Sequence, residues 1–264
     1  MIDKSLRLAF AILITFFIGV LAGPNDSPAA EGTPVMPLLV GVTPDSPPMI
    51  FRQQGAIAGL EADLARMLAG ELGMPLRFVE LPWDRLMPSL LDGEIDIIMS
   101  GMTITEARKV RIAFTDYYLK SGLVVAMRAG DFSKYNSLER IKEKFPTVGV
   151  IKNTTGEAYA RKNFPPAMRI IPLQGLSDAA IELKQRRIDI FVHDAPAVVW
   201  LVSENEASMR GLWKPLNEEY LGWGIRRDDG ALLARVNAVL AGWKQNGTLK
   251  SVITRWLPYW KDLE

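Results

Sequence analysis

From Leu38 onward, short apolar runs alternate with longer stretches whose apolar residues recur every three or four positions. The runs Leu38-Leu39-Val40-Gly41-Val42, Leu76 to Glu80, Ile95 to Met99, Gly122 to Met127, Val148 to Ile151, Met168 to Leu173 and Ile188 to Val192 read as buried strands. Between them lie helical stripes. Leu60, Leu64, Met67, Leu68 and Leu72 share one face, and Gly73 stands where a helix stops. Asp84 is expected to cap a helix carrying Leu86, Met87, Leu90 and Leu91, and Ser137 to cap another. Thr154-Thr155-Gly156 opens a helix through Asn163, and Ser177 caps one with Ala180, Ile181 and Leu183 inward. After Asp228 or Asp229, a long stripe of Leu232, Leu233, Val236, Val239, Leu240 and Trp243 follows, and a last helix runs from Thr248 to Trp256. Strands that alternate with helices predict an α/β fold around mostly parallel sheets.

The pattern repeats weakly. A helix, an Ile-Asp-Ile strand and a polar turn occur at Gly93 to Thr103 and again at Arg187 to Asp194. Two similar α/β lobes are expected, each aiming a strand end at a shared cleft. The pattern breaks at Arg128 to Asp131, where the chain is expected to cross, and it returns at Glu219 to Ile225. At the first strand end stands Ser100-Gly101-Met102-Thr103-Ile104-Thr105-Glu106-Ala107-Arg108. Its hydroxyls, its amides around Gly101 and the planar guanidinium of Arg108 suit a small carboxylate. The alternative is a plain strand-to-helix turn, with Thr105 as cap and Arg108 in solvent.

Charge is balanced, with 31 basic and 30 acidic side chains, so no electrostatic footprint for nucleic acid is present. Lys4 and Arg7 precede an uninterrupted apolar run from Leu8 to Ala22 and a Gly/Pro/Ser/Ala-rich stretch to Pro34. That is the layout of a secretory signal, cleaved after Ala22 or Ala30, with an uncleaved membrane anchor as the alternative. There is no cysteine, which excludes disulfides and a lipid-modified N-terminal cysteine. A single histidine, His193, offers no zinc ligand set, and neither metal nor cofactor is expected.

The segments GLEADLARMLAGELG, MPSLLDGEIDIIMSGMTITEARKVRIAFTDYY, VGVIKNTTGEAYARKNF, IDIFVHDAP and LARVNAVLAGWKQNGTLKSVITRW occur in this order between Leu39 and Leu257. They resemble type 2 periplasmic solute-binding proteins of the amino-acid ABC-transporter family, solute-binding protein family 3. The resemblance implies two α/β lobes joined by two hinge strands, the Venus-flytrap or periplasmic-binding-protein-like II fold. The expected division is a signal and linker at residues 1–34, one lobe from residues 35–126 plus 222–264, and the other from residues 127–221. It also implies a periplasmic monomer that captures a small polar amino acid for an ABC permease, and no nucleic-acid partner.

Residue by residue, the resemblance puts Arg108 on the ligand α-carboxylate, with Thr103 and the Gly101 amide beside it; Ser100 is a further candidate from its hydroxyl at the strand end. Asp194 would take the α-ammonium, and Thr155 at the start of its helix would add to carboxylate binding. Trp83 would wall the aliphatic part of the ligand, and His193 would touch its side chain. Where the family often reads Asp-Pro-Ser-Tyr-Pro-Pro-Phe, this chain has Thr43-Pro44-Asp45-Ser46-Pro47-Pro48-Met49. Ser46 replaces the stacking aromatic and the acid moves to Asp45, so a long basic ligand held in an aromatic sandwich is less expected. Two other functions stay open. One is a periplasmic dehydratase acting on prephenate or arogenate, with Glu157 as the candidate general acid. The other is a ligand-sensing module.

Overall fold

The computed structural model describes residues 36–258, and in them the apolar runs become strands and the periodic stripes become helices. The stretch read as signal and linker, residues 1–34, lies outside the described residues. The chain opens with β1 (Leu38–Val42), β2 (Asp45–Ser46), β3 (Ile50–Gln53), β4 (Ala56–Ala58) and α1 (Leu60–Leu72). It continues through β5 (Leu76–Glu80), α2 (Trp83–Leu91), β6 (Ile97–Ile98), α3 (Glu106–Lys109), β7 (Ala113–Phe114) and β8 (Leu119–Ser121). Next come β9 (Leu123–Arg128), α4 (Leu138–Lys144), β10 (Val148–Ile151), α5 (Thr155–Asn163), β11 (Ile170–Leu173) and α6 (Leu176–Lys184). Then β12 (Ile190–Asp194), α7 (Ala195–Ser203) and β13 (Met209–Leu212) complete the middle of the chain. It returns by β14 (Glu219–Leu221) and β15 (Gly224–Ile225) to α8 (Gly230–Gln245) and α9 (Thr248–Trp256).

Two five-stranded sheets result, ordered β5-β1-β6-β15-β7 and β11-β10-β12-β9-β13. In each, three strands run parallel and a fourth, β15 in the first sheet and β9 in the second, pairs antiparallel to the last of them. β8 and β14 pair side by side, Leu119 opposite Leu221 and Ser121 opposite Glu219, so both passages between the sheets travel in one ribbon. This is the two-lobed α/β architecture expected from the sequence. One boundary shifts. The run ending at Met127, set by the sequence reading before the crossing, is β9 and pairs with β12 and β13 in the second sheet. Its uniform apolarity fits either sheet, and only the antiparallel register decides between them.

The Ile-Asp-Ile repeat has a structural counterpart. Asp96 accepts the Leu39 amide at 2.9 Å and donates its own amide back at 2.8 Å. Asp189 does the same with Thr147, at 2.9 and 2.8 Å. An arginine on the antiparallel neighbour then closes each strand entry. Arg226 reaches the Ile95 carbonyl at 2.8 Å, and Arg128 the Ile188 carbonyl at 2.6 Å. The preceding isoleucines fill the space left by glycines in the first strands. A Cβ on Gly41 would meet Ile95 at 2.3 Å, and one on Gly149 would meet Ile188 at 2.4 Å.

Helix α1 buries Leu60, Leu64, Leu68 and Leu72 on the predicted stripe, each worth about 1.5–3 kcal/mol of apolar transfer. Gly73 ends it in the left-handed region at φ 65°, with the Met74 amide bonded to Ala69 O at 3.0 Å. Ser137 and Asp229 cap α4 and α8 through their side chains. Asp84 and Ser177 do not cap: their helices begin one residue earlier, after Pro82 and Gly175. Ile181, expected inward, is 47% exposed.

Candidate functional site

The carboxyl ends of β1, β6, β10 and β12 converge on one cavity, the place where open α/β sheets take small ligands. All nine residues singled out in the sequence line it: Asp45, Trp83, Ser100, Gly101, Thr103 and Arg108 from one side, Thr155, His193 and Asp194 from the other. Thr43, Ser46, Ile151, Thr154 and Gln174 complete much of the wall.

Arg108 sits on the short helix α3, whose cap Thr105 accepts the Arg108 amide at 3.2 Å. The turn is thus capped by Thr105, while Arg108 lines the cavity instead of standing in solvent. Its guanidinium donates to Thr103 O at 2.8 Å and lies 5.4 Å from the Trp83 ring centroid. Those contacts fix the fork and leave other N–H groups for a ligand. Burial lowers the guanidinium's pKa, with Asp194 and Glu219 opposing, and an arginine remains charged throughout. Trp83 also donates from Nε1 to the Asn153 carbonyl at 3.1 Å, on the opposite side of the cleft. Ser100 Oγ accepts the Thr43 amide at 2.9 Å, which leaves its own hydroxyl proton to donate.

Gly101 differs from expectation. At φ 68° its amide turns away from the cavity and donates to Glu61 Oε1 at 2.7 Å. Glu61 is fully buried, and it also accepts Tyr118 OH at 2.6 Å and Trp223 Nε1 at 2.8 Å. Burial pushes its carboxyl up, opposed by these three bonds. Glu61 therefore ties the strand-end loop to the residues flanking the ribbon. The Thr103 and Thr155 hydroxyls are also engaged. Both donate to Glu219 Oε2, at 3.0 and 3.2 Å.

On the facing side, α5 begins at Thr155 and its Gly156 packs on the β12 backbone, where a Cβ would lie 2.8 Å from Val192 O. Glu157, the candidate acid, is taken up elsewhere: its oxygens accept the Asn153 amide and the Arg161 guanidinium, each at 2.7 Å. Those bonds hold its carboxyl low against burial, which alone would raise it. Asp194 occupies the cap position of α7 but makes no cap bond. Its Oδ1 is buried without a hydrogen-bond partner among the described residues, as is His193 Nδ1. His193 Nδ1 lies 3.7 Å from the other carboxyl oxygen, Asp194 Oδ2. Burial drops the His193 pKa to about 4, so the ring is neutral. Asp45 lies at the rim near Gly175 of the opposite lobe, with its carboxyl raised by partial burial and opposed by His193.

Glu61 and Glu219 were missed in the sequence. A carboxylate in the first turn of a helix and one in a hinge strand both look like ordinary surface residues until their partners are known. Glu219 is 5% exposed, and burial, then the neighbouring Asp194 charge, push its pKa up to about 7. Among the described residues, no cluster of three or more His, Cys, Asp or Glu could hold a metal ion.

Comparison with known proteins places the chain in a family. The histidine-binding periplasmic protein of Salmonella typhimurium is 28% identical, covering 97% of this chain and 98% of its own. ABC transporter arginine-binding protein 1 of Escherichia coli is 30% identical, covering 83% of this chain and 89% of its own. A mutant of ArgBP from T. maritima superposes with a TM-score of 0.78 at 35% identity, covering 84% of this chain and 95% of that one. The model of bacterial extracellular solute-binding proteins, family 3, matches residues 38–259, and the chain belongs to that family.

Proposed function

We propose that this protein captures a polar α-amino acid between its lobes in the periplasm and delivers it, as a monomer, to an ABC permease. The observation that carries the reading is the opposition of two groups across one cavity. The Arg108 guanidinium is fixed on one side, and Asp194, whose buried Oδ1 meets no ordinary donor among the described residues, faces it from the other. A zwitterion supplies both missing partners, its carboxylate to the arginine fork and its ammonium to the aspartate. Ser100 keeps a free hydroxyl proton for the same carboxylate, and the N-terminus of α5 at Thr155 favours an anion there. Trp83 forms the apolar wall. Asp45, Gln174 and His193 line the part of the cavity left for the side chain, and the Asp45 carboxylate suits one carrying N–H donors.

The relatives' names, histidine-binding and arginine-binding, support an amino acid as the ligand, and "periplasmic" and "ABC transporter" support the compartment and the partner. The lobe division we propose runs from residue 35 to the β8–β9 junction plus residues 222–264, with the rest as the second lobe. Binding rather than turnover is favoured because Glu157, the candidate acid, is held by Asn153 and Arg161. The test is a thermal-shift screen against the twenty proteinogenic amino acids, followed by incubation with prephenate and arogenate. A raised Tm with at least one amino acid and no dehydration is expected. Dehydration of prephenate or arogenate, or no shift with any amino acid, would overturn the reading.

A further inference from the structure

Glu219 stands outside the cavity wall but touches both halves of it. Its Oε2 accepts Thr103 from the first lobe and Thr155 from the second, and its Oε1 accepts Asn217 Nδ2 at 2.9 Å. Asn217 in turn accepts the Leu123 amide at 2.9 Å, where β9 leaves the ribbon. The residue therefore bonds both sides of the cleft at once. The charged and titratable groups facing it are Arg108 from α3 and Asp194 and His193 from β12. Its strand neighbour Glu218 instead bonds Lys120 and Tyr220 at the solvent face. His193 is neutral, so one cation faces two carboxyls. Asp194 Oδ1 meets no ordinary donor, and the Glu219 carboxyl can donate to Asp194 only when it carries a proton.

We propose that Glu219 is a positioning residue that couples capture to proton release: it shares a proton with Asp194 in the empty cleft and gives it to solvent when a ligand ammonium replaces it as the donor to Asp194. The Glu219 O–H bond breaks, the proton passes to water or buffer, and the Glu219 carboxylate remains beside the new cation. The Thr103 and Thr155 hydroxyls then donate to a full carboxylate, which strengthens the bridge between the lobes. The proposal rests on the reading of Asp194 as the seat of the ammonium.

The probe is whichever of the twenty proteinogenic L-amino acids raises Tm most. Calorimetric titration of the intact protein, in buffers of different ionisation enthalpy, counts protons directly. About one proton released per ligand near pH 6, falling toward none near pH 8, is expected, with affinity rising about tenfold across that range. Glu219→Gln, with its fold verified by circular dichroism, is expected to release none and to bind with a pH-independent affinity. Binding by the unmodified protein without proton release, or equal release from Glu219→Gln, overturns the proposal and leaves the amino-acid reading intact. Absence of binding by any amino acid overturns both. The proton count on the unmodified protein stands even if the variant fails to fold.

Discussion

The buried carboxylate of Glu61 gives the sharpest stability prediction. Three donors converge on it, two on Oε1 from Gly101 and Tyr118 and one on Oε2 from Trp223. Glu61→Ala strands all three in a dry interior. At about 1–3 kcal/mol for each unsatisfied buried group, the two that remain after the rotatable tyrosine hydroxyl relaxes give an expected loss of about 2–6 kcal/mol. That is a large part of the ~5–15 kcal/mol that holds most proteins folded. Glu61→Gln keeps one oxygen for Gly101 and Tyr118 but turns an NH₂ toward Trp223 Nε1, so one donor is stranded and about 1–3 kcal/mol is lost. Urea unfolding followed by tryptophan fluorescence measures both, because Trp223 is at the centre of the perturbation. The order of midpoints should be wild type, then Gln, then Ala. An alanine variant within about 1 kcal/mol of wild type would refute the idea that Glu61 organises this junction. So would a glutamine variant less stable than the alanine one.

Three further outcomes follow from the same geometry. His193 is depressed to about 4 in the fold, from an ordinary value of 6.5, so the folded state resists its protonation. Its stability contribution is complete above about pH 6.5 and is lost as pH falls toward 4, by on the order of 3 kcal/mol; His193→Gln should flatten the urea midpoint over that window, and an unchanged pH profile would contradict the assignment. Trp83→Ala removes the ring under Arg108 and the bond to Asn153; amino-acid affinity by calorimetry should fall roughly ten- to hundredfold. Gly156→Ala drives a methyl into Val192 O, and it should cost about 1–3 kcal/mol and weaken binding together, because α5 is pushed off β12.

The parts of this molecule that could be read from the chain are those set by local periodicity. The α1 stripe, the Gly73 stop and the Ile-Asp-Ile strands were legible because each depends on residues a few positions apart. The strand end from Ser100 to Arg108 was legible as part of the cavity wall because small hydroxyl residues and an arginine follow a buried strand. What escaped was decided by distant partners. Gly101 looked like a donor to a ligand, but Glu61, forty positions away, takes its amide. The Thr103 and Thr155 hydroxyls looked free, but Glu219 takes both. A carboxylate's burial depends on which donors the fold assembles around it, and nothing in its neighbouring sequence announces them. The place of β9 was hidden for a related reason, because an all-apolar strand carries no mark of which sheet it joins.

The amino-acid clamp can be tested by titrating the best-binding amino acid into the intact protein, into Arg108→Ala and into Asp194→Asn. Each variant removes one of the two charges that face each other across the cavity. Truncating one partner of a desolvated charge pair costs about 2–5 kcal/mol, so affinity should fall by roughly thirtyfold to several thousandfold in each variant while circular dichroism and far-site stability are retained. Unchanged affinity in either variant, with the fold intact, would show that the ligand is not held as a zwitterion between Arg108 and Asp194.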